Sequence, residues 1–233
     1  MAVLPMKKLN ALVDTNILIR ASLQETERVE LIRLIDFARK NEIRFILFEI
    51  VLDEFEKHGN KLEESLNKEI AKVSKEIRKA LVKCQLWNEL NDLGDYLSES
   101  LYTYKGEKYN EATSFIEEIN KLIKSKKIKL VSPDTKRYYE TQRKITRGEL
   151  PKTKSNDLHI IDTLEELCKK QSGSIICFAT ENKKDFFKID ADGNYIKNTD
   201  GTFVIKDLNY QNLKGFISLK QLVSFIEKQG GAK

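Results

Sequence analysis

The chain has 233 residues, of which 40% are hydrophobic and 33% are charged, and its formal net charge is +5. This composition is typical of a globular protein and excludes an intrinsically disordered chain. No apolar run is long enough to cross a membrane. The first residues, MAVLPMKKLNALVDTN, lack the order of a signal peptide. We therefore expect a cytoplasmic protein without a membrane anchor.

The cysteines indicate neither a disulfide framework nor a zinc ribbon. There are three of them, Cys84, Cys168 and Cys177, and no two form a C-x-x-C pair. An odd number of widely spaced cysteines does not fit either kind of site. We expect reduced thiols that are mostly buried.

The first part of the chain alternates between strand and helix patterns. Hydrophobic spacing predicts a strand at 8–14, a helix at 26–41, a strand at 43–49 and a helix that begins within 50–58. This order indicates parallel strands joined by right-handed crossovers.

A long charged segment follows. Apolar residues in 62–87 are spaced three and four apart and form one narrow helical stripe, and 110–125 has a second amphipathic pattern. We predict that these two helices form a hairpin inserted at 59–126 within a single domain, 1–233, with a coiled-coil-like arm and a helix laid on the core as the alternatives.

The last part of the chain returns to alternating elements. After a short extended piece at 127–133, the pattern predicts a helix at 135–148, a loop at 149–156 and a helix at 157–171. A strand at 173–180 and a loop at 181–187 follow. Asp-Gly turns are predicted within 190–207, before a strand at 215–219 and a helix at 220–229.

Carboxylates stand where these strands end. Asp14 ends the first strand, Glu54 lies in the helix after the second, Asp157 opens the helix before the fourth, and Asp185 follows that strand. Ligands of an open parallel sheet bind at the carboxyl ends of its strands. Acids gathered there would repel one another unless a cation lay among them, and Mg²⁺ is held by such oxygen ligands. Capping of a helix is the alternative role of Asp14 taken alone.

The motifs VDTN, FEIVLDEF, NDLHIID and ATENKKDFF, in that order, resemble those of the PIN-domain nucleases. The resemblance is to larger members of the family, because of the helical insertion. It implies a three-layer α/β/α fold with a central, mostly parallel sheet and an inserted helical hairpin.

The resemblance also implies a set of site residues. Asp14, Glu54, Asp157 and Asp185 fall on the positions of the catalytic, metal-binding acids. Four neighbours would hold these carboxylates in place, and they are Thr15, Asn16, Thr180 and Asn182. Asn182 stands at a further acidic position of the family, where Asn also occurs. Its amide oxygen can still bind a metal or orient a water, and a weaker second metal site is the alternative.

The resemblance implies a metal-dependent endoribonuclease that uses Mg²⁺ or Mn²⁺ to hydrolyse phosphodiester bonds in RNA. A toxin, a defence effector and a processing enzyme all stay open. A DNA nuclease with the same site is one alternative, and a decayed PIN-like protein that binds nucleic acid or acts as a scaffold is another. An inhibitor or partner protein and a homo-oligomer also stay open.

Positive charge lies next to the third acid. The segment 136–154 has seven basic residues against two acidic ones. Contact with the phosphates of the substrate is the favoured role, and a solvated basic helix face is the alternative. The predicted substrate-binding residues are Arg143, Lys144, Arg147, Lys152 and Lys154. His159 is expected to pack or to lie at the surface, with orientation of the substrate as the alternative, and Asp162 is expected at the surface.

Overall fold

The computed structural model describes residues 8–83, 89–150 and 155–230. Cys84, Lys152 and Lys154 therefore lie outside the described residues. The chain forms two compact units, one containing the residues up to Phe55 and from Ile119 onward, and the other containing Glu56–Glu118.

The smaller unit consists of parts of two long helices. These are α3 (Glu49–Lys83) and α4 (Glu89–Lys124). The prediction for the second helix, 110–125, was too short, because α4 begins well before residue 110. Gly94 and Gly106 lie inside α4, and glycine in a helix interior is unfavourable by about 1 kcal/mol relative to alanine, which weakens the helical signal of that stretch.

The larger unit is built on one five-stranded sheet, and all the strand pairs described are parallel. The strand order is β3-β2-β1-β4-β5. The strands are β1 (Leu9–Val13), β2 (Ile43–Phe48), β3 (Ile128–Val131), β4 (Ile175–Ala179) and β5 (Leu213–Phe216). Helices lie on both sides of the sheet, which confirms the predicted three-layer α/β/α fold.

Six further helices of this unit are found among the described residues. They are α1 (Thr15–Leu23), α2 (Glu25–Arg39), α5 (Thr135–Thr146), α6 (Ser155–Lys170), α7 (Lys183–Phe186) and α8 (Leu219–Gly230). Helix α2 packs against α1, α8 and β2, and α8 also packs against β4 and β5. Helix α6 packs against α5 and α7, so the segments around the third acid and after the fourth strand are neighbours.

The core explains why the central strands β1 and β4 are apolar at every position except Asn10. Every residue of β1 is buried, and β4 is buried from Ile176 to Ala179. A strand that is covered by helices on both faces has no solvent face, so it reads as a continuous apolar run. The central position of β1 places whatever follows it at the middle of the sheet edge.

Two helices of this unit differ from the sequence prediction. No helix was assigned to the residues after Asp14, where α1 is found. The segment 181–187 was predicted to be a loop, and this is wrong, because Lys183–Phe186 form the short helix α7. A helix of four residues is too short to show a hydrophobic period.

The segment between α7 and β5 folds back on itself through isolated antiparallel bridges, among them Ile189 with Tyr195 and Lys197 with Phe203. Gly193 and Gly201 both have positive φ, at 85° and 80°. The predicted Asp-Gly turns occur at these glycines, since a residue without Cβ adopts that conformation without strain.

In the part of the chain that the structure describes, no helix is both long and apolar enough to span a membrane. Cys168 and Cys177 are buried free thiols.

Candidate active site at the end of strands β1 and β4

The sheet topology singles out one place at the sheet edge. From β1 the chain moves outward through β2 to β3 on one side, and then returns to β4 on the other side of β1. The strand order therefore reverses between β1 and β4. In open parallel sheets, a crevice that binds ligands lies outside the carboxyl ends of the strands at such a point.

Asp14 stands at this point. It directly follows β1 and is the N-cap of α1, and its Oδ1 accepts a hydrogen bond of 2.7 Å from the backbone N–H of Thr15. Its own N–H donates to the carbonyl oxygen of Ala179, the last residue of β4, over 2.9 Å. Only 3% of its surface is exposed. Asp14 therefore caps α1, which was the alternative role considered for it, and it does so at the edge of the sheet where a metal ligand was predicted.

The hydroxyl of Thr180 connects Asp14 to the end of the neighbouring strand β4. Thr180 follows β4, and its hydroxyl donates to Oδ2 of Asp14 over 2.7 Å. The same hydroxyl oxygen accepts the backbone N–H of Asn182 at 3.0 Å, so the turn after β4 is tied to the carboxylate. Asn16, in the first turn of α1, is exposed.

Glu54 reaches the same place from α3. Its Oε2 accepts a hydrogen bond of 2.7 Å from the hydroxyl of Thr15, the residue next to Asp14. Thr15 is buried and Glu54 is partly buried. Two carboxylates from separate segments of the chain are thereby brought together around one threonine.

The pKa of Asp14 reflects this setting. It is raised from 3.8 to about 6, chiefly because burial removes water from the ionised carboxylate, and the negative charge of Glu54 raises it further. The hydrogen bonds from Thr180 and Thr15 act in the opposite direction. The site therefore favours positive charge beside Asp14.

Sequence reasoning missed a second link across this crevice. Arg20 of α1 forms an ion pair with Glu181, which directly follows Thr180. The Nε atom of Arg20 is buried and has no hydrogen-bond partner within the described residues. The two residues are far apart in the sequence, so no spacing pattern could have indicated the pair.

The other two predicted acids lie on neighbouring helices. Asp157 is in the first turn of α6 and Asp185 is in α7, and both are partly exposed. Among the residues that the structure describes, no group of three or more His, Cys, Asp or Glu side chains is placed to hold a metal ion. Hydrogen bonds join Asp14 and Glu54 through Thr15.

His159 packs between α5 and α6. Only 1% of its surface is exposed, and its ring stacks on Tyr138 with 4.3 Å between the ring centroids. Its Nε2 lies 2.8 Å from Nε2 of Gln142, and burial lowers its pKa. These contacts agree with packing, the first of the two roles considered for it. Asp162, expected at the surface, is partly exposed and accepts a hydrogen bond from Thr141 of α5.

The basic segment presents its charges on α5. Arg143, Lys144 and Arg147 are exposed, and Arg147 lies 3.9 Å from Glu149. Arg137 differs from them because it forms an ion pair of 2.7 Å with Glu165 of α6. Of the five predicted substrate-binding residues, the three that the structure describes therefore face solvent.

The donor atoms at the sheet edge suit a hard divalent cation. Mg²⁺ prefers oxygen ligands and is commonly bound by one or two carboxylates while it keeps several waters. Asp14 and Glu54 supply two such carboxylates, and the raised pKa of Asp14 shows that a cation there would relieve an unfavourable burial of charge. These residues fit a bound Mg²⁺ or Mn²⁺ ion.

Comparison with known proteins gives one match. A family model described as a PIN domain matches residues 12–186, which is more than half of the chain. The match begins in β1 and ends in α7, so it includes Asp14, Glu54 and Thr180. No curated protein and no solved structure is significantly similar to the chain.

Proposed function

The chain belongs to the PIN-domain family, whose fold is that of a generally metal-dependent nuclease, and from this membership we propose that it is an endoribonuclease. The observation that carries the proposal is the pair formed by Asp14 and Glu54 around Thr15 at the topological switch point. Two carboxylates at this point provide the ligands that hydrolysis of a phosphodiester needs.

Mg²⁺ or Mn²⁺ is the proposed cofactor. When bound, the ion would activate a water for attack on phosphorus and stabilise negative charge on the phosphate oxygens. Asp14 and Glu54 would hold it, and we propose Asp157 and Asp185 as additional ligands. Thr15 and Thr180 orient the two carboxylates through hydrogen bonds of 2.7 Å each.

The ionisation of Asp14 sets the pH range of this site. With a pKa of about 6, Asp14 is mostly protonated in mildly acidic solution and mostly ionised at neutral pH. Only the ionised form is a good ligand for a hard cation. Activity that depends on this carboxylate should therefore rise as pH increases through about 6.

The exposed face of α5 is the proposed contact for the substrate. Arg143, Lys144 and Arg147 present positive charge on the helix that packs against α6, the helix that begins near Asp157. Contacts from basic side chains to phosphates supply affinity without reading sequence. Lys152 and Lys154 are proposed to extend this contact.

The test is cleavage of matched single-stranded RNA and DNA oligonucleotides by the purified chain with Mg²⁺, with Mn²⁺ and with EDTA. We expect metal-dependent cleavage of RNA that is lost in Asp14→Asn and Glu54→Gln. Asn retains the ability to cap α1, and Gln can still accept the hydrogen bond from Thr15. Asp36→Asn is the control and should cleave like the parent, because the half-exposed Asp36 side chain pairs with Arg39 in α2 and belongs to no part of the site.

Each alternative gives a different result. Cleavage of DNA alone would replace the proposal with a DNA nuclease that uses the same carboxylates. If the folded chain cleaves neither polymer with either metal, the proposal is wrong, and a decayed PIN-like protein that only binds is favoured.

A further inference from the structure

A second basic region lies at the end of the sheet opposite to Asp14. Two cavities with volumes of about 370 and 480 Å³ open there, and they share Arg44, Lys126 and Lys127 as lining residues. The two cavities adjoin one another at these residues, and we call the pair of them the amino-end cleft. All of its lining residues belong to the larger unit.

The charge of this cleft is strongly positive. Lys8 lines one cavity and Lys129 lines the other, in addition to the three shared basic residues, whereas Glu42 is the single acid among the lining residues. No ion pair is found for these five basic side chains within the part of the chain that the structure describes. The positive charge of the cleft is therefore not neutralised by nearby carboxylates of the described residues.

The local fold explains why these charges come together. Asn41 and Lys126 both have left-handed backbone conformations, with φ of 60° and 59°. They follow the ends of α2 and α4, and each allows the chain to enter the next strand within two residues. Since β2 and β3 are parallel neighbours, the basic residues at their amino ends are placed side by side.

Asn10, which follows the cleft residue Leu9 along β1, is a buried polar group at this end of the sheet. Asn10 in β1 is the register partner of Arg44 in β2, so both side chains point to the same face of the sheet. Asn10 is 1% exposed, and neither Nδ2 nor Oδ1 of its amide has a hydrogen-bond partner within the described residues. A buried amide is nearly always hydrogen-bonded, and water or a ligand can supply the partner.

We propose that the amino-end cleft binds phosphate groups of an RNA backbone, as a contact separate from the cleavage site. The identity of the ligand as RNA rests on the proposed function. Lys8 and Asp14 stand at opposite ends of β1, about 20 Å apart at the usual rise of a strand. The cleft thus contacts a part of the RNA that is distant from the bond to be cleaved.

The test is the salt dependence of binding to a labelled single-stranded RNA. The chain carries Asp14→Asn and EDTA is present, so that the RNA stays intact. Each phosphate contact that is lost reduces the slope of log Kobs against log salt concentration by about 0.7 for a single strand. The variant pair Lys126→Asn with Lys127→Gln should therefore reduce the slope by about 1.4. Asn is chosen for position 126 because it tolerates positive φ.

The control has the same loss of charge at another place. Lys220→Gln with Lys228→Gln removes two exposed lysines from α8, and it should leave the slope close to that of the parent. Equal slopes for the two double variants would overturn the proposal. The proposal would also be overturned if Lys126→Asn with Lys127→Gln weakened binding of inorganic phosphate or a mononucleotide but left the slope for RNA unchanged.

The two proposals can fail separately. RNA cleavage by the parent chain combined with equal slopes overturns the cleft and leaves the nuclease. A reduced slope for the cleft variant in a chain that cleaves nothing supports the cleft and overturns the nuclease.

Discussion

The hydroxyl of Thr180 donates a hydrogen bond of 2.7 Å to Oδ2 of Asp14, and so joins the residues that follow β4 and β1. Both residues are buried, and the bond lowers a pKa that burial has raised. A buried carboxylate is costly unless donors surround it. Thr180 therefore helps to keep Asp14 in its charged form.

Replacing Thr180 by valine tests this role. Thr180→Val keeps the shape of the side chain but removes the donor to Asp14 and the acceptor for the N–H of Asn182. We expect the free energy of unfolding at pH 7 to fall by about 1–3 kcal/mol and the pKa of Asp14 to rise. Urea unfolding and NMR titration of the carboxyl carbon measure the two effects. Thr180→Ser keeps the hydroxyl, so an equal loss in both variants would contradict this role.

The raised pKa of Asp14 predicts how stability depends on pH. Between about pH 4 and 6 the folded chain binds more protons at Asp14 than the unfolded chain does, so this contribution to stability decreases as pH rises. The difference between 3.8 and about 6 corresponds to roughly 3 kcal/mol. We expect the free energy of unfolding of the parent, minus that of Asp14→Asn, to decrease by up to this amount from pH 4 to 7.

Urea unfolding of both chains at several pH values gives this difference, and titrating groups that do not interact with Asp14 cancel in the subtraction. A difference that stays constant or increases over this range would show that the pKa of Asp14 is not raised.

Binding of a divalent cation should stabilise the folded chain. A ligand at a hundred times its dissociation constant adds about 2.7 kcal/mol to the free energy of unfolding. We expect Mg²⁺ or Mn²⁺ to raise the melting temperature of the parent and of Asp36→Asn at pH 7.5, with no such rise in Asp14→Asn or Glu54→Gln. At pH 5 the rise should become smaller, because Asp14 is then mostly protonated. Equal rises in all four chains would place the ion elsewhere.

The basic face of α5 should govern substrate affinity more than the chemical step. Arg143→Gln with Lys144→Gln removes two exposed charges from this helix. We expect KM for RNA to rise several-fold and kcat to change little, because loss of binding that is equal in the ground state and the transition state acts on KM. The double variant of Lys220 and Lys228 is the charge-matched control. A fall in kcat at unchanged KM would show that α5 acts on the chemical step.

Gly215 in β5 should not tolerate a side chain. A Cβ atom there would lie 2.5 Å from Cε1 of Phe187 and 2.7 Å from the carbonyl oxygen of Phe203. Gly215→Ala forces these atoms apart and should lower the free energy of unfolding by about 1–3 kcal/mol. Gly173→Ala meets no atom within 4 Å and is the control. Urea unfolding at one pH compares the two, and equal stability of both variants would contradict the close approach.

The strands were predictable because their apolar residues are branched or aromatic and stand in short runs. The start of α1 carried a readable signal as well, since Asp14 can cap a helix and the apolar residues Ile17, Leu18 and Ala21 follow at helical spacing. The resemblance at VDTN favoured a metal-binding role for Asp14, and capping of a helix was only the alternative. The short helix α7 offered no such period.

The order of the acidic motifs indicated which segments reach the sheet edge, but not how close their side chains come. The contact between Thr15 and Glu54 depends on how α3 leaves β2, and hydrophobic spacing does not specify that angle. The link between Arg20 and Glu181 likewise depends on tertiary packing. Side-chain convergence is therefore the part of the site that the sequence left undetermined.

The buried carboxylate of Asp14 also has a consequence for directed evolution of this protein. Asp14 is ionised at neutral pH in surroundings that disfavour its charge. A neutral residue of similar size at position 14 should therefore make the chain more heat-resistant. The same replacement removes a proposed metal ligand. A screen for thermal tolerance alone would then enrich inactive chains. Selection for useful robustness should score retained cleavage together with heat resistance, because stability and function conflict at this residue.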